Sequence, residues 1–410
     1  MLYDYYAAFT VKETGERSRD KAAKKEKENI NDLVHGNGKY AEVGDRYARS
    51  ILLLTAYSIE NKLPYYKGRL QKIEPLVYAR VGEDNRAGGL KAIVHHKDFA
   101  SYLSRRLYEL KKLGVDKHVD LDGLPKGSWY LEVPLVLKSP FYSHDDIPFH
   151  IIDNPLQKEK VFGVPFTAAT TWKGCLRWSM MKVHLEPVKS NPELFAKRRL
   201  QHLLLFGSEK GEDDGVRGLA AYLDRLGGKE AEASFRKLCR KNFQKYRDET
   251  KDSDDEKVVH FSGMLHFSPT FWTKIEMSVI NPHDRRTKAG KNPIYYEVVP
   301  EDARGVLRLL FVPLHRLKSD VKEQLQQSLT GLTDVAKGLE AMLFKYGFSA
   351  KKSVGWGVVE DSWAQEKGSL RVKGIEKIIS FSSLKQLKEE IERMQKEVSS
   401  GGELAEKVGR

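Results

Sequence analysis

The spacing of the apolar residues changes near residue 120, and this change constrains the fold more than any other feature of the sequence. Before that point, one set of apolar residues recurs at helical spacing: Phe99, Leu103, Leu107 and Leu110. Gly114 then fits the end of a helix. After the polar stretch 116–127, alternate residues are apolar, as on one face of a strand: Trp129, Leu131, Val133, Leu135 and Leu137. The sequence therefore predicts a mainly helical region at 1–125, followed by a domain that begins with a strand.

The second domain alternates between strand and helix patterns. After the first strand and a long loop at 139–166, we predict a helix capped by Thr170 or Thr171. The later predicted elements are a helical stretch ending at Gly207, strands at 259–267, 275–280, 294–299 and 306–313, a helix at 333–346 that stops at Gly347, and a strand at 358–363. This order predicts an α+β fold, a ferredoxin-like, RNA-recognition-motif-type βαββαβ domain with insertions.

We place this domain at 126–365, with a charge-rich insertion at about 211–257 and a helical tail at 366–410. Five apolar residues of the tail form a stripe with a 3-4-3-4 spacing: Leu384, Leu387, Ile391, Met394 and Val398. The stripe favours a helix that packs on its own domain, with a zipper to a partner chain as the alternative.

Composition indicates a globular protein whose positive charge fits either a nucleic-acid-binding protein or simply a soluble basic one. The chain has 410 residues, 40% of them hydrophobic, and a formal net charge of +13, which attracts nucleic acid. No apolar run reaches membrane-spanning length, and residues 1–10 lack the pattern of a secretory signal, so we expect a cytoplasmic protein. Cys175 and Cys239 are not spaced for a zinc site or a disulfide framework.

Three stretches of the second domain resemble a known family. The first contains Ile152-Asp-Asn-Pro-Leu156, Gly163-Val-Pro165 and Trp172-Lys-Gly-Cys-Leu-Arg177. The second contains Ile280-Asn-Pro-His-Asp-Arg-Arg-Thr-Lys288 and Tyr295-Tyr-Glu-Val-Val-Pro300, and the third is Lys351-Lys-Ser-Val-Gly-Trp-Gly357. In their order and spacing they resemble the cleavage loop, clamp helix, thumb hairpin and glycine-rich loop of RAMP-superfamily backbone subunits of type III CRISPR effectors (Csm/Cmr-like). The resemblance covers about 129–363 and puts the thumb at about 280–293.

Candidate RNA-binding residues occur in three places. Lys173 and Arg177 are four residues apart on one side of a helix start, where backbone N–H groups also favour phosphate. The glycine-rich loop contributes candidates that precede or include glycines allowing close approach of a backbone: Lys351, Lys352, Ser353, Gly355 and Gly357. The thumb tip contributes three cations: Arg285, Arg286 and Lys288. Tyr295 or Trp356 could stack on a base, although Trp356 fits the core equally well.

Asp153 is the main candidate for chemistry. The resemblance makes it the carboxylate that binds a divalent cation, Mg²⁺ being the expected one, or that helps to deprotonate an attacking 2′-hydroxyl. Asp145 and Asp146 in the same loop are further catalytic candidates. Without the resemblance, all three would be ordinary solvated loop acids. His144 and His150 are weaker acid–base candidates.

The resemblance implies a subunit that binds guide RNA (crRNA), meets a complementary target RNA and other CRISPR effector subunits, and cleaves the target as a metal-dependent endoribonuclease. Two alternatives stay open from the sequence: an inactive structural subunit of the same ribonucleoprotein, and a guide-processing endoribonuclease. Residues 1–125 lie outside the region that resembles the family. A fused small-subunit-like module and a docking element both fit this extension.

Overall fold

A computed structural model describes residues 36–43, 97–115, 119–145, 154–208, 218–243, 262–284, 286–288, 290, 294–316, 320–361, 363 and 366–400, with isolated positions between 9 and 33. The chain divides into two compact units, each assembled from separate stretches. The first unit comprises Met1–Lys117, Pro140–Phe166 and Phe271–Arg304, and the second comprises His118–Ser139, Thr167–Thr270 and Gly305–Arg410. This interleaved division differs from the contiguous one expected at 1–125, 126–365 and 366–410.

The fold mixes helices with antiparallel sheets. The described strands are β1 Trp129–Val136, β2 Phe166–Thr167, β3 Leu265–Phe267, β4 Thr270–Phe271, β5 Glu276–Ile280, β6 Ile294–Val298, β7 Arg304–Phe311, β8 Gly368–Val372 and β9 Ile375–Phe381. The described α-helices are α1 Lys97–Lys112, α2 Ala169–Met180, α3 Pro192–Phe206, α4 Gly218–Phe243, α5 Val321–Glu340 and α6 Leu384–Ser400. Short π-helical segments, Met181–Leu185 and Ala341–Tyr346, extend α2 and α5. No helix among these described residues is long and apolar enough to cross a membrane.

A five-stranded sheet with the order β3-β7-β1-β8-β9 forms the centre of the second unit. β1 pairs antiparallel with β8, with Trp129 opposite Val372. Every residue of β1 except Glu132 and Val136 is buried. Both faces of the strand are therefore covered, whereas the alternation predicts burial of one face. The Glu132 carboxylate accepts hydrogen bonds from Arg308 Nε at 2.9 Å and Ser369 Oγ at 3.1 Å, which satisfies its charge between two neighbouring strands.

Helix α6 packs on α5, as the apolar stripe predicts. All five stripe residues are buried: Leu384, Leu387, Ile391, Met394 and Val398. Lys388 Nζ contacts the Glu340 carboxylate at 2.8 Å, and Gln395 Nε2 donates to Thr333 Oγ1 at 3.2 Å. The prediction that this helix covers its own domain is therefore confirmed.

The charge-rich insertion contains a helix that joins the core. Leu223 and Ala231 of α4 pack in one apolar cluster with Met181, Leu185 and Phe195. The helix bends at Gly228, whose φ is 78°. A Cβ on the neighbouring Gly227 would lie 2.5 Å from Phe195 Cε1, so glycine is required for this contact.

The C-terminal part of the sheet departs from the sequence prediction. Among the described residues of the stretch 358–363, which was predicted as the closing strand, Val359 forms a single bridge, to Leu137. β8 and β9 instead close the sheet within the stretch 366–410 that the sequence assigns to a helical tail. The alternation of β9 is interrupted, because three consecutive residues at 376–378 are exposed between the buried Ile375 and Ile379.

Two helix starts also differ from prediction. Helix α5 begins at Val321 and not at residue 333, because the Asp320 side chain caps it by accepting from the N–H groups of Lys322 and Glu323. Its continuation does stop at Gly347, with φ 71°, as predicted. Helix α2 begins at Ala169.

The first unit contains α1 and a hairpin. Helix α1 ends as predicted at Gly114, which has φ 75°. Strands β5 and β6 pair antiparallel from Glu276 opposite Val298 to Ile280 opposite Ile294, so the predicted hairpin is present. The two-residue strands β2 and β4 pair with each other.

Candidate nucleic-acid interface

Helix α2 places Lys173 and Arg177 one turn apart, both half-buried. Because the helix begins at Ala169 and ends at Met180, Arg177 lies in its last turn and not at its start as predicted. The predicted threonine cap is absent, because Ala168 precedes the helix in an extended conformation and has no side-chain acceptor. Thr170 and Thr171 lie inside the first turn. Because alanine has no side-chain oxygen, the residue at the cap position does not accept hydrogen bonds from the N–H groups of the first turn. The positive end of the helix therefore stays suited to binding an anion.

Buried contacts fix the position of α2. Trp172 is fully buried, donates from Nε1 to Thr270 Oγ1 at 3.0 Å, and packs its ring 4.5 Å from that of Phe348. Near the end of the helix, Ser179 Oγ donates to the Gly338 carbonyl at 2.9 Å. His202 Nε2 lies 3.0 Å from the Arg177 carbonyl, and since a carbonyl only accepts, this nitrogen carries the proton.

The glycine-rich loop is closed upon itself. The Phe348 N–H donates to the Gly357 carbonyl at 3.0 Å. Gly357 has φ 76° and is buried, and a Cβ there would lie 2.5 Å from the Ser349 nitrogen. The close approach at Gly357 is therefore made by the chain itself. Gly355, with φ 82°, is exposed and has open space where a Cβ would point, which leaves its backbone accessible to a ligand.

Ser139 joins the loop to the end of β1. Its Oγ donates to the Gly355 carbonyl at 2.8 Å and accepts from the Val358 N–H at 3.2 Å. Lys352 and Ser353 project from this anchored loop and are exposed, whereas Lys351 is half-buried. Sequence reasoning missed Ser139, since a serine after a strand carries no signal for a contact more than 200 residues away.

Helix α2, which corresponds to the predicted clamp helix and is called so below, contacts the glycine-rich loop 351–357. Lys352 Nζ lies 3.8 Å from Cys175 Sγ and 5.6 Å from the centre of the Trp178 ring. Burial raises the pKa of Cys175, and the lysine charge opposes that shift. Cys175 is two residues from both Lys173 and Arg177, so Lys352 meets the helix on a different side from those two cations, although the loop and the helix belong to the same unit.

Two further residues beside this region were not found from the sequence. Trp178 is 40% exposed and lies between Lys352 and Lys182, whose Nζ is 5.4 Å from the ring centre. Its position directly after Arg177 in a basic helix is a weak signal. His266 on β3 has a pKa lowered by desolvation and by the positive charge of Lys173, which places its imidazole near the clamp helix.

The thumb tip in the first unit is ordered by Asp284. Its Oδ1 accepts from the N–H groups of Arg286 at 2.9 Å and Thr287 at 3.1 Å. Lys288 donates its N–H to the Asp284 carbonyl and has a positive φ of 55°. The side chains of Arg286 and Lys288 are exposed, so two cations project from a fixed turn. Arg285 lies outside the described residues.

The loop that contains Asp153 is held to strand β6. Asp153 itself lies outside the described residues, but its neighbour Asn154 donates from Nδ2 to the Tyr295 carbonyl at 3.0 Å. The Asn154 carbonyl accepts from the Glu297 N–H at 3.0 Å. The buried Glu297 carboxylate pairs with Lys158 and accepts from the Leu156 N–H, so the chain directly after Asp153 is fixed at the base of the thumb.

The other acids of the loop differ in exposure or lie outside the described residues. Asp145 is only 8% exposed, and its N–H donates to the Pro155 carbonyl at 3.2 Å. Asp146 and His150 are outside the described residues. His144 Nδ1 is hydrogen-bonded to the Tyr142 hydroxyl at 2.7 Å, and burial raises the pKa of that tyrosine. Within the described part of the chain, no three acidic, histidine or cysteine side chains are grouped to bind a metal.

The fold and site define an α+β protein whose five-stranded sheet carries a basic helix beside a glycine-rich loop. A family model named the RAMP superfamily matches residues 134–360, which is more than half of the chain. The chain therefore belongs to the RAMP superfamily.

Two of the solved chains to which this chain is similar come from CRISPR complexes. A chain of a type III-B Cmr-beta complex bound to cognate target RNA is 11% identical, covers 87% of this chain and 99% of its own length, and has a TM-score of 0.35. A chain from a subcomplex of a type III-A CRISPR-Cas interference complex is 12% identical, with coverages of 66% and 97% and a TM-score of 0.33. No curated protein matches the sequence.

Proposed function

We propose that this chain is a guide-RNA-binding backbone subunit of a type III CRISPR effector. The supporting observation is the 3.8 Å approach of Lys352 to Cys175, which unites the glycine-rich loop with the helix of Lys173 and Arg177. A helix that carries Lys173 and Arg177 beside a loop with an exposed glycine is suited to a phosphate backbone, because cationic side chains and an accessible main chain are both present.

The sheet order also supports this function. If β1, β3, β7 and β8 are taken as the four strands of a ferredoxin-like βαββαβ domain, the sheet order, with β7 and β8 flanking β1, is compatible with that arrangement. In this interpretation α2 and α5 are the two helices, and β9 is an added edge strand.

Cleavage of a complementary target RNA is part of the proposal. Asp153 would hold a divalent cation, with Mg²⁺ expected, together with RNA phosphate oxygens. Bound there, the cation would stabilise charge that develops on the phosphate. The burial of Asp145 favours a supporting role for this carboxylate, since Mg²⁺ usually keeps several water ligands. That burial also favours the alternative of an inactive structural subunit in the same ribonucleoprotein.

The test is to isolate the subunit with its partner proteins from its native operon and to sequence the RNA that accompanies it. We expect guide RNA to be enriched. Lys173→Ala combined with Arg177→Ala should weaken RNA binding and reduce the dependence of log Kd on log salt by about 1.4, at about 0.7 for each phosphate that is no longer neutralised. Co-purification of no RNA, or a salt slope unchanged in the double variant, would contradict this assignment of the clamp.

A further inference from the structure

Helix α1 presents a basic, aromatic face that lies outside the matched region 134–360. One side of the helix is exposed and carries Arg105, Tyr108, Lys111 and Lys112. Tyr108 is three residues from both Arg105 and Lys111 and four from Lys112, so the side chains lie on one face around Tyr108. Tyr108 is 58% exposed, and Lys112 Nζ lies 4.9 Å from the centre of its ring.

The opposite side of α1 fixes the direction of this face. Tyr102, Leu103 and Leu110 are buried, and the Tyr102 hydroxyl donates to the Phe162 carbonyl at 2.9 Å. This bond joins the helix to the loop 140–166 within the first unit. The helix is therefore held along its apolar side, and the basic face is directed away from the core.

Glu109, the acid of α1 whose side chain the structure describes, pairs with Arg106 and not with Lys111 or Lys112. Arg106 Nη1 lies 2.8 Å from Glu109 Oε2, and both are half-buried beside the exposed stripe. Lys111 and Lys112 are exposed and follow one another at the end of the helix. Cations at a helix C-terminus also counter the negative end of the helix dipole, and this accounts for their position without requiring a ligand.

The exposed ring is the feature that a helix end alone does not explain. An exposed aromatic ring leaves apolar surface in contact with water. A single-stranded nucleic acid can cover such a ring by stacking a base on it. The adjacent ammonium groups would at the same time meet the phosphates that flank the base. The face therefore offers both kinds of contact that a nucleotide requires.

We propose that this face of α1 is a second RNA-binding surface, at which Tyr108 stacks on a base while Arg105, Lys111 and Lys112 contact phosphates. The proposal rests on the proposed function only in taking RNA as the ligand, because its residues are separate from the clamp. It assigns part of the N-terminal extension to RNA binding.

The test uses the full-length chain and a fluorescein-labelled single-stranded RNA of arbitrary sequence, titrated by fluorescence anisotropy between about 50 and 200 mM salt. Arg105→Gln/Lys111→Gln/Lys112→Gln should reduce the salt slope by about 2, at about 0.7 for each phosphate. Tyr108→Ala should weaken binding about tenfold, whereas Tyr108→Phe, which keeps the ring, should bind like the wild type.

A matched control removes the same charge elsewhere. Lys377, Lys385 and Lys396 are exposed on β9 and α6, so Lys377→Gln/Lys385→Gln/Lys396→Gln gives an equal change in net charge. The proposal requires this control to keep the wild-type slope. If both triple variants lost the same amount of salt slope, the effect would follow from net charge alone, and the proposal would be overturned.

The outcomes separate this proposal from the proposed function. If the clamp double variant loses salt slope while the α1 triple variant keeps it, the proposed function stands and the α1 surface is rejected. If the α1 variant binds RNA normally but fails to assemble with effector proteins, the face is a protein-docking surface and the proposal is again wrong. A wild-type chain without RNA affinity would reject both.

Discussion

His202 supports the clamp helix through one hydrogen bond, and its ionisation should make folding sensitive to acid. Burial lowers its pKa from an ordinary 6.5 to about 4, although the hydrogen bond to the Arg177 carbonyl opposes this shift. Between pH 6.5 and 4 the unfolded chain binds a proton that the folded chain excludes, so stability falls as the pH falls through this window. The loss should be about 2 kcal/mol at pH 5.

The measurement is urea unfolding, followed by tryptophan fluorescence, at about pH 7.5 and about pH 5. His202→Gln retains a donor for the Arg177 carbonyl and removes the titration, so its stability should change less with pH than that of the wild type. His184 also has a pKa lowered by burial and contributes in the same direction in both proteins. An identical pH dependence in the variant would exclude His202 as the source.

Asp153 gives a second prediction at the scale of one residue. Asp153→Asn preserves the side-chain shape but removes the charge, and should slow cleavage of a complementary RNA by roughly two to three orders of magnitude in the assembled complex with Mg²⁺. Guide and target binding should be nearly unchanged. The comparison is Asp145→Asn/Asp146→Asn: loss of cleavage only in this double variant would move the site to the upstream acids. An inactive wild type that still binds target would favour the structural subunit.

At the scale of elements, α5 supports the clamp helix through a close crossing. A Cβ on Gly338 would lie 2.4 Å from Met180 Cγ and 3.2 Å from Leu176 Cδ1, both in α2, whereas a Cβ on Gly331 would meet nothing within 4 Å. Gly338→Ala should therefore destabilise the protein by about 1–3 kcal/mol through overpacking. Gly331→Ala should stabilise it by about 0.5–1 kcal/mol, since alanine favours the helix.

The pair is compared by chemical denaturation, with RNA affinity as a second readout. Because Met180 and Leu176 share a helix with Lys173 and Arg177, Gly338→Ala should also weaken RNA binding, and Gly331→Ala should not. Equal stability of the two variants would show that the α2–α5 crossing is looser than the structure indicates.

The sequence correctly predicted those elements whose signals, such as a terminal glycine or an apolar stripe, lie within the element itself. Gly114 and Gly347 end helices as expected, and the stripe from Leu384 to Val398 identified α6. The closing strand was misplaced because its identity depends on pairing with β1, more than 200 residues earlier, and not on its own alternation. Similarly, Lys352 was a candidate from its motif, but its approach to Cys175 and Trp178 could not be read from the sequence.

At the scale of the whole molecule, removal of residues 1–125 should have unequal effects. The fragment 126–410 lacks the stretch Met1–Lys117, which contains α1 and is one of the three stretches of the first unit. It keeps most of the second unit. We expect protection from hydrogen exchange to persist in β1 and α5 and to fall in β5 and β6. Loss of protection in β1 as well would show that the two units fold only together.

The place of β1 in the sheet has a consequence for synthesis in the cell. Trp129 is fully buried in the finished fold, yet its partner Val372 is made 243 residues later, the difference between 372 and 129. At roughly 5–20 residues per second, the ribosome needs about 12–50 seconds to cover that distance. During this time one edge of β1 lacks its partner strand, although β7 on the other edge is completed by residue 311. The proposed RNA-binding site, which includes the loop 351–357, can therefore form only once most of the chain has been translated.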